Sequence, residues 1–295
     1  MASQASNVVR PSDAELLQAQ ADLWWVSLSY LTPMSLRCAV ELGIPTAIHR
    51  HGGAASPADL ITALSLPSAK LPFIRRLLRL LAVAGVFTVD KTTAEERYCI
   101  NPVSYLLVDG IPDEVHINHT SLVLACTSTR YLEAATGLAE WFKKDVVTPP
   151  FEELHGAALF HESLESLDPD YHNTVNEALD AHDNFGIEIA LREFRDLFEG
   201  IQSMTYCCGT SGDDKFARAI VKAFPHIKCT VLAPPKMIGA TKPDDGAMIN
   251  YVEGDMFNFI PPAQTVALKV IITCLELDPI DLLYILWLGY SEYMN

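Results

Sequence analysis

From about residue 201 onward the texture of the chain changes, and that change limits the fold more than any other feature. Short runs rich in β-branched and aromatic residues, at 203–207, 228–232, 249–253 and 266–272, alternate with stretches of helical apolar spacing. Such alternation implies a parallel sheet with helices on its faces, because parallel neighbours need a long crossover where a hairpin would need only a turn. Between the first two runs, Phe216, Ile220, Ala223 and Phe224 form an apolar stripe along 213–224, suited to packing on that sheet.

Residues 13–110 read differently. Asp13 is placed to cap a helix over 13–30, in which Leu16, Leu17, Ala21, Leu23, Trp24 and Leu28 repeat on one apolar face. Thr32-Pro33 opens a second helix over 34–42, and Gly43-Ile44-Pro45 ends it. Ser56-Pro57-Ala58-Asp59 has the form of a capped start with proline in the first turn. A helix over 70–84 follows, with Leu71, Ile74, Leu77, Leu78 and Leu81 on one side. Runs 86–89 and 97–100 flank a polar turn and fit two paired strands. Short helices plus a hairpin make a winged-helix-like pattern. The first helix carries Trp24, Trp25 and Tyr30, more aromatic surface than it needs for its own domain, which predicts a dimer interface. Residues 114–200 return to helical spacing, broken at Thr148-Pro149-Pro150 and clearest over 168–179 and 184–198. The resulting division is a helical dimerisation domain over 1–112, a helical connecting segment over 113–200 and an α/β domain over 201–295.

With 49% hydrophobic residues in 295, the chain can bury a sizeable core. A formal net charge of −16 argues against a nucleic-acid or anionic-membrane surface, either of which needs clustered lysine and arginine. Arg75, Arg76 and Arg79 sit in an apolar helix and read as its solvated face. Seven cysteines show no paired metal spacing, and the adjacent Cys207 and Cys208 cannot act as a CxxC clamp, so free thiols in a reducing compartment are expected. The first residues lack a basic segment followed by an apolar core, and Glu276, Asp278 and Asp281 interrupt the most hydrophobic region, 266–288. A soluble, cytoplasmic protein with no nucleic-acid and no membrane partner is expected.

After the first strand, Gly209 and Gly212 lead into the helix over 213–224. A glycine turn feeding a helix lets backbone approach a ligand closely, and the helix N-terminus offers unpaired N–H groups. The spacing onward to Thr230-Val231-Leu232 and to Glu253-Gly254-Asp255-Met256-Phe257 is that of a nucleotide-type cofactor domain. More specific stretches are Leu31-Thr32-Pro33-Met34-Ser35-Leu36-Arg37, Leu159-Phe160-His161-Glu162-Ser163, Ala223-Phe224-Pro225-His226-Ile227-Lys228 and Gly254-Asp255-Met256-Phe257. On these residues the chain resembles the plant small-molecule O-methyltransferases that use S-adenosylmethionine, the group acting on caffeic acid, flavonoids, acetylserotonin and similar hydroxylated compounds.

The resemblance implies an α/β fold with an all-α, winged-helix-like N-terminal domain and an incomplete Rossmann-like parallel sheet. It implies S-adenosylmethionine as cofactor, held by Gly209 and Gly212 in the turn, Asp255 on the adenine side, Met256 on the ring and Lys269 nearby. It also implies a homodimer, or a heterodimer with related O-methyltransferases, and a small phenolic or indolic substrate partly lined by 113–200.

Against that pattern the chain departs at three places. The family's V-D-V-G-G-G-x-G reads Thr205-Tyr206-Cys207-Cys208-Gly209-Thr210-Ser211-Gly212, so Cys208 and Thr210 put Cβ atoms into a tight turn. The aspartate that ends the family's second strand and accepts from both ribose hydroxyls is Ala233 here. The family's L-K-W-x-x-H-D-W reads Leu268-Lys269-Val270-Ile271-Ile272-Thr273-Cys274-Leu275, which puts Thr273 at the general-base position. An alcohol cannot serve as that base near neutral pH. Family members continue well past this point, whereas this chain stops at Asn295. The expectation is a family member with lost or greatly reduced activity, or a non-catalytic dimer partner. The alternative is an active enzyme with a weakened site, acting on a phenol that is already ionised.

Overall fold

The computed structural model describes residues 10–92, 95–111, 117–159, 163–184, 186–207, 214–233, 249–256 and 258–268. The chain divides into two compact units, Met1–Asp109 and Gly110–Asn295.

In the first unit, helices α1 (Asp13–Leu28), α2 (Leu31–Glu41) and α3 (Ile44–Arg50) precede a two-residue strand β1 (Ala54–Ala55). Helices α4 (Pro57–Ala63) and α5 (Leu71–Val83) then lead to strands β2 (Phe87–Asp90) and β3 (Arg97–Ile100) and a last turn of helix, α6 (Pro102–Tyr105). The expected hairpin is present, with Phe87 opposite Ile100 and Asp90 opposite Arg97. β1 adds a third antiparallel strand on β3, giving the order β1-β3-β2. The cap of α1 is Ser12 and not Asp13: the Ser12 hydroxyl accepts from the Glu15 N–H while the Glu15 carboxylate accepts from the Ser12 N–H, a complete capping box. Ser56 and Asp59 form the same device at the start of α4.

Gly43 ends α2 as expected, but it does so at φ +71°, a conformation glycine adopts without strain, and the chain re-enters a helix at once. Pro45 then sits in the first turn of α3, where a missing N–H costs nothing. Ile74, Leu78 and Leu81 of α5 are buried with Ile44, Ile48 and Leu60, while Arg75, Arg76 and Arg79 are exposed on the opposite side. Helix α1 is unlike the rest, for it buries none of its residues: Leu17 is 70% exposed, Trp24 62% and Trp25 70%.

The second unit opens with helices α7 (Thr120–Cys126), α8 (Thr129–Thr136), α9 (Leu138–Trp141), α10 (Pro150–His155), α11 (Ser163–Leu167) and α12 (Pro169–Asn184). Phe151, Leu164, Tyr171 and Val175 form their shared core. Arg130 Nε donates to Asp168 Oδ2 at 2.7 Å, and the Tyr171 hydroxyl donates to the Ala125 carbonyl at 3.2 Å. The segment expected as one helix over 184–198 is two, α13 (Ile187–Glu193) and α14 (Asp196–Glu199).

The alternating region then gives β4 (Ser203–Cys207), α15 (Lys215–Ala223), β5 (Lys228–Ala233), β6 (Ile249–Glu253) and β7 (Thr265–Leu268). All four strands are parallel, in the order β6-β5-β4-β7. Ile220 and Phe224 are buried with Met204 and Ile227, so the apolar stripe read from the sequence does pack on the sheet. At the opposite end of β4 from the site, the Gln264 side chain accepts from the Gln202 N–H (2.8 Å) and donates to the Gly200 carbonyl (3.1 Å), clasping β4 to the segment leading into β7. Residues 269–272 of the expected last strand, and the apolar stretch 282–288, lie outside the described residues.

Candidate cofactor site

The chain runs outward from β4 through β5 to β6, then returns across β4 to form β7. In an open α/β sheet the crevice outside the C-terminal strand ends, where the order reverses, is where ligands bind. Those ends are Cys207, Ala233, Glu253 and Leu268.

Ala233 and Glu253 are partners in register on neighbouring strands. Ala233 is 3% exposed, and its carbonyl accepts the Gly254 N–H at 3.1 Å, which carries the pairing one residue past the end of β6. A Cβ on Gly254 would stand 3.0 Å from Leu232 Cδ1, so a side chain there would press on the tip of Leu232. Asp255 follows, exposed, with its Oδ2 accepting from Asn258 Nδ2 at 2.9 Å while its carbonyl accepts from the Asn258 and Phe259 N–H groups. Met256 is half-buried against Cys207 and Leu232. The strand ends thus bring Asp255 and Met256 to one edge of the site. Gly209, Gly212, Lys269 and Thr273 lie outside the described residues.

Two features escaped the sequence reading. At the start of α15, the buried Asp214 carboxylate accepts from Arg218 Nε at 2.9 Å and from the Tyr251 hydroxyl, while an Arg218 terminal nitrogen donates to that hydroxyl at 3.2 Å. This network joins the first turn of α15 to β6. Burial pushes the Asp214 carboxyl up, but the hydrogen bonds from Arg218 and Tyr251 and the Arg218 charge outweigh it, holding the group below the usual aspartate range. Burial, then the neighbouring Asp214 carboxylate, push the Tyr251 phenol up to about 12. Only Asp214 and Arg218, four apart on a helix, leave a trace in the sequence. The second feature is Glu253, whose exposed side chain makes no hydrogen bond or ion pair with a described residue.

Burial raises the thiol pKa of Cys207, and that of Cys229 to about 11, which disfavours the thiolate at both positions. Among the described residues, no three His, Cys, Asp or Glu side chains are placed to hold a metal ion, and no helix is long and apolar enough to cross a membrane.

The helical N-terminal unit and the parallel-sheet unit define a two-part α/β protein. A family model described as the O-methyltransferase dimerisation domain matches residues 24–110, and one described as the O-methyltransferase domain matches 136–277. A flavonoid O-methyltransferase-like protein of rice (Oryza sativa subsp. japonica) is 53% identical over 92% of this chain and 75% of its own length. Daphnetin O-methyltransferase 1 of rye (Secale cereale) is 52% identical over 86% of this chain and 72% of its own. Among solved structures, the SAH-bound form of CalO1, a methyltransferase in calicheamicin biosynthesis, shares the fold with a TM-score of 0.62 at 20% identity, over 85% of this chain and 70% of that one. The chain belongs to the O-methyltransferase family. Its N-terminal part is the family's dimerisation domain, and the uncovered apolar face of α1 lies partly within it.

Proposed function

We propose that this protein is a cytoplasmic O-methyltransferase homologue that retains a weakened S-adenosylmethionine site and has lost most or all methyl transfer to phenolic or indolic hydroxyl groups. The observation that carries this reading is the strand end at Ala233, where a buried methyl stands in place of the carboxylate of the resembled pattern. Loss of a charged hydrogen-bond acceptor costs about 1.5–3 kcal/mol, roughly ten- to hundredfold in affinity.

The remaining residues fit the cofactor on its adenine side. Gly254 leaves that edge without a side chain, Asp255 stands exposed as a polar partner, and Met256 offers an apolar platform. Gly209, Gly212 and Lys269 complete the set in sequence. When bound, S-adenosylmethionine supplies an electrophilic methyl group on a sulfonium centre. The acceptor hydroxyl must give up a proton as it attacks, and Thr273 at the base position has no accessible pKa for taking it. Absence of a positioned base lowers the rate by about 10²–10⁴. Residues 113–200 line the substrate side in this reading. The dimerisation domain pairs the chain with a second copy or with an intact relative, and a mixed dimer would place this chain's helical domain beside a competent site.

The test is isotope-labelled methyl transfer from S-adenosylmethionine to a panel of coumarin, flavonoid, catechol and indole acceptors, with the rye relative as positive control. Transfer is expected to stay at least 100-fold below the control. Transfer within tenfold of the control to any acceptor refutes the loss of activity.

A further inference from the structure

Three acidic side chains stand around the end of β6 and the start of α15, with different commitments. Asp214 is spent on Arg218 and Tyr251, and Asp255 is held by Asn258. The Glu253 side chain is exposed and, unlike the other two, makes no hydrogen bond or ion pair with a described residue. It is also the register partner of Ala233.

Strand geometry fixes which way Glu253 faces. Residues alternate between the two faces of a sheet, and partners in register on parallel strands share a face. Ile249 and Tyr251 pack with Cys229, Val231 and Ala233 on the side covered by α15, which puts Glu253, two residues further along β6, on that side too. Neighbouring strands stand about 4.8 Å apart. The bond from the Gly254 N–H to the Ala233 carbonyl holds the two strand ends at that spacing. Glutamate carries one methylene more than aspartate, which gives its carboxylate added reach from the neighbouring strand.

We propose that Glu253 replaces the carboxylate missing at Ala233 and accepts the ribose hydroxyls of the S-adenosyl cofactor from the adjacent strand. The proposal rests on the reading that this site binds such a cofactor. Its chemistry is that of a vicinal diol, two O–H donors side by side, meeting a carboxylate whose two oxygens can accept both. Ala233 offers only a methyl, and its carbonyl is already used by Gly254. A carboxylate one strand away therefore restores the acceptor without restoring the residue.

The test uses the full chain and calorimetric titration with two probes, S-adenosylhomocysteine and its 2′-deoxyribose analogue. Glu253 is exposed, so Glu253→Gln and Glu253→Ala are expected to leave the fold intact, checked by circular dichroism. In the unaltered protein the deoxy probe should bind about tenfold more weakly than S-adenosylhomocysteine. Glu253→Gln should weaken S-adenosylhomocysteine roughly ten- to hundredfold and bring the two probes to within about threefold of each other. Adding Ala233→Asp to Glu253→Ala should recover most of the loss. Binding of S-adenosylhomocysteine unchanged by Glu253→Gln overturns this proposal and leaves the cofactor reading standing. A folded, unaltered protein that binds neither probe overturns the cofactor reading and the proposal with it.

Discussion

Replacing Asp214 by asparagine removes the charge from the hydrogen-bonded network that ties α15 to β6. The Asp214 side chain is 10% exposed and that of Arg218 35%, so the ion pair is buried at one end and wet at the other. Removing one member of a fully buried pair costs about 3–5 kcal/mol, because the other charge is stranded. Here water can reach part of the Arg218 guanidinium, so the smaller figure for losing charged hydrogen bonds applies, and Asp214→Asn should cost about 2–3 kcal/mol. Because the chain has two compact units, a probe local to the sheet is preferable to a global melt. Amide hydrogen exchange in α15 and β6 should quicken by roughly 30- to 150-fold, the same free energy expressed as an opening equilibrium. Asp214→Asn and Arg218→Ala should also be strongly non-additive. A change below about threefold, or simple additivity, would refute the assignment of this network as a structural tie. The pH dependence follows from the two shifts. Asp214 is held below its ordinary pKa, so its contribution is present above about pH 4 and is lost as pH falls through the lower folded value. Tyr251 is pushed up to about 12, so its contribution is present below about pH 10 and lost as pH rises toward 12. Asp214→Asn should remove this network's acid flank, and Tyr251→Phe its alkaline one.

Two further outcomes are expected. Trp24→Glu, on the uncovered face of α1, should raise the dimer dissociation constant at least thirtyfold in sedimentation equilibrium, since an unpaired charge in an apolar interface costs about 2 kcal/mol or more; an unchanged constant would remove α1 from the interface. Leu78→Ala, at a fully buried position of the N-terminal unit, should destabilise that unit by about 3 kcal/mol in chemical denaturation, and a loss under 1 kcal/mol would mean the core collapses around the cavity.

How much of this was legible in the sequence depends on the range of the forces involved. The β4–α15–β5–β6 alternation was readable because each element carries its own periodicity: β6 spans Ile249–Glu253 as expected, and the α15 stripe packs as its spacing required. The N-terminal boundary of α1 shifted by one residue because Ser12 has a reciprocal partner in Glu15, which Asp13 lacks. Helix α3 was missed because Gly43-Ile44-Pro45 reads as a stop, although glycine at positive φ followed by proline in a first turn both ends one helix and begins another. Strand β1 has two residues, too few to show any period. Tyr251 joins Asp214 from 37 positions away, and Ala233 meets Glu253 only through sheet register, so neither pairing has a local signature.

The strand order also sets a timetable for synthesis. β5 joins one side of β4 and β7 the other, yet β7 begins only at Thr265, after both β5 and β6 have been made. At about 5–20 residues per second, the interval between the end of β4 and the start of β7 lasts roughly 3 to 11 s. Throughout it, one edge of β4, among the most buried strands of the finished sheet, has no partner in the nascent chain. Such an edge accepts any extended segment that reaches it first. Slower translation through residues 208–264 is therefore expected to lower the yield of native protein, and chaperone cover during that interval to raise it.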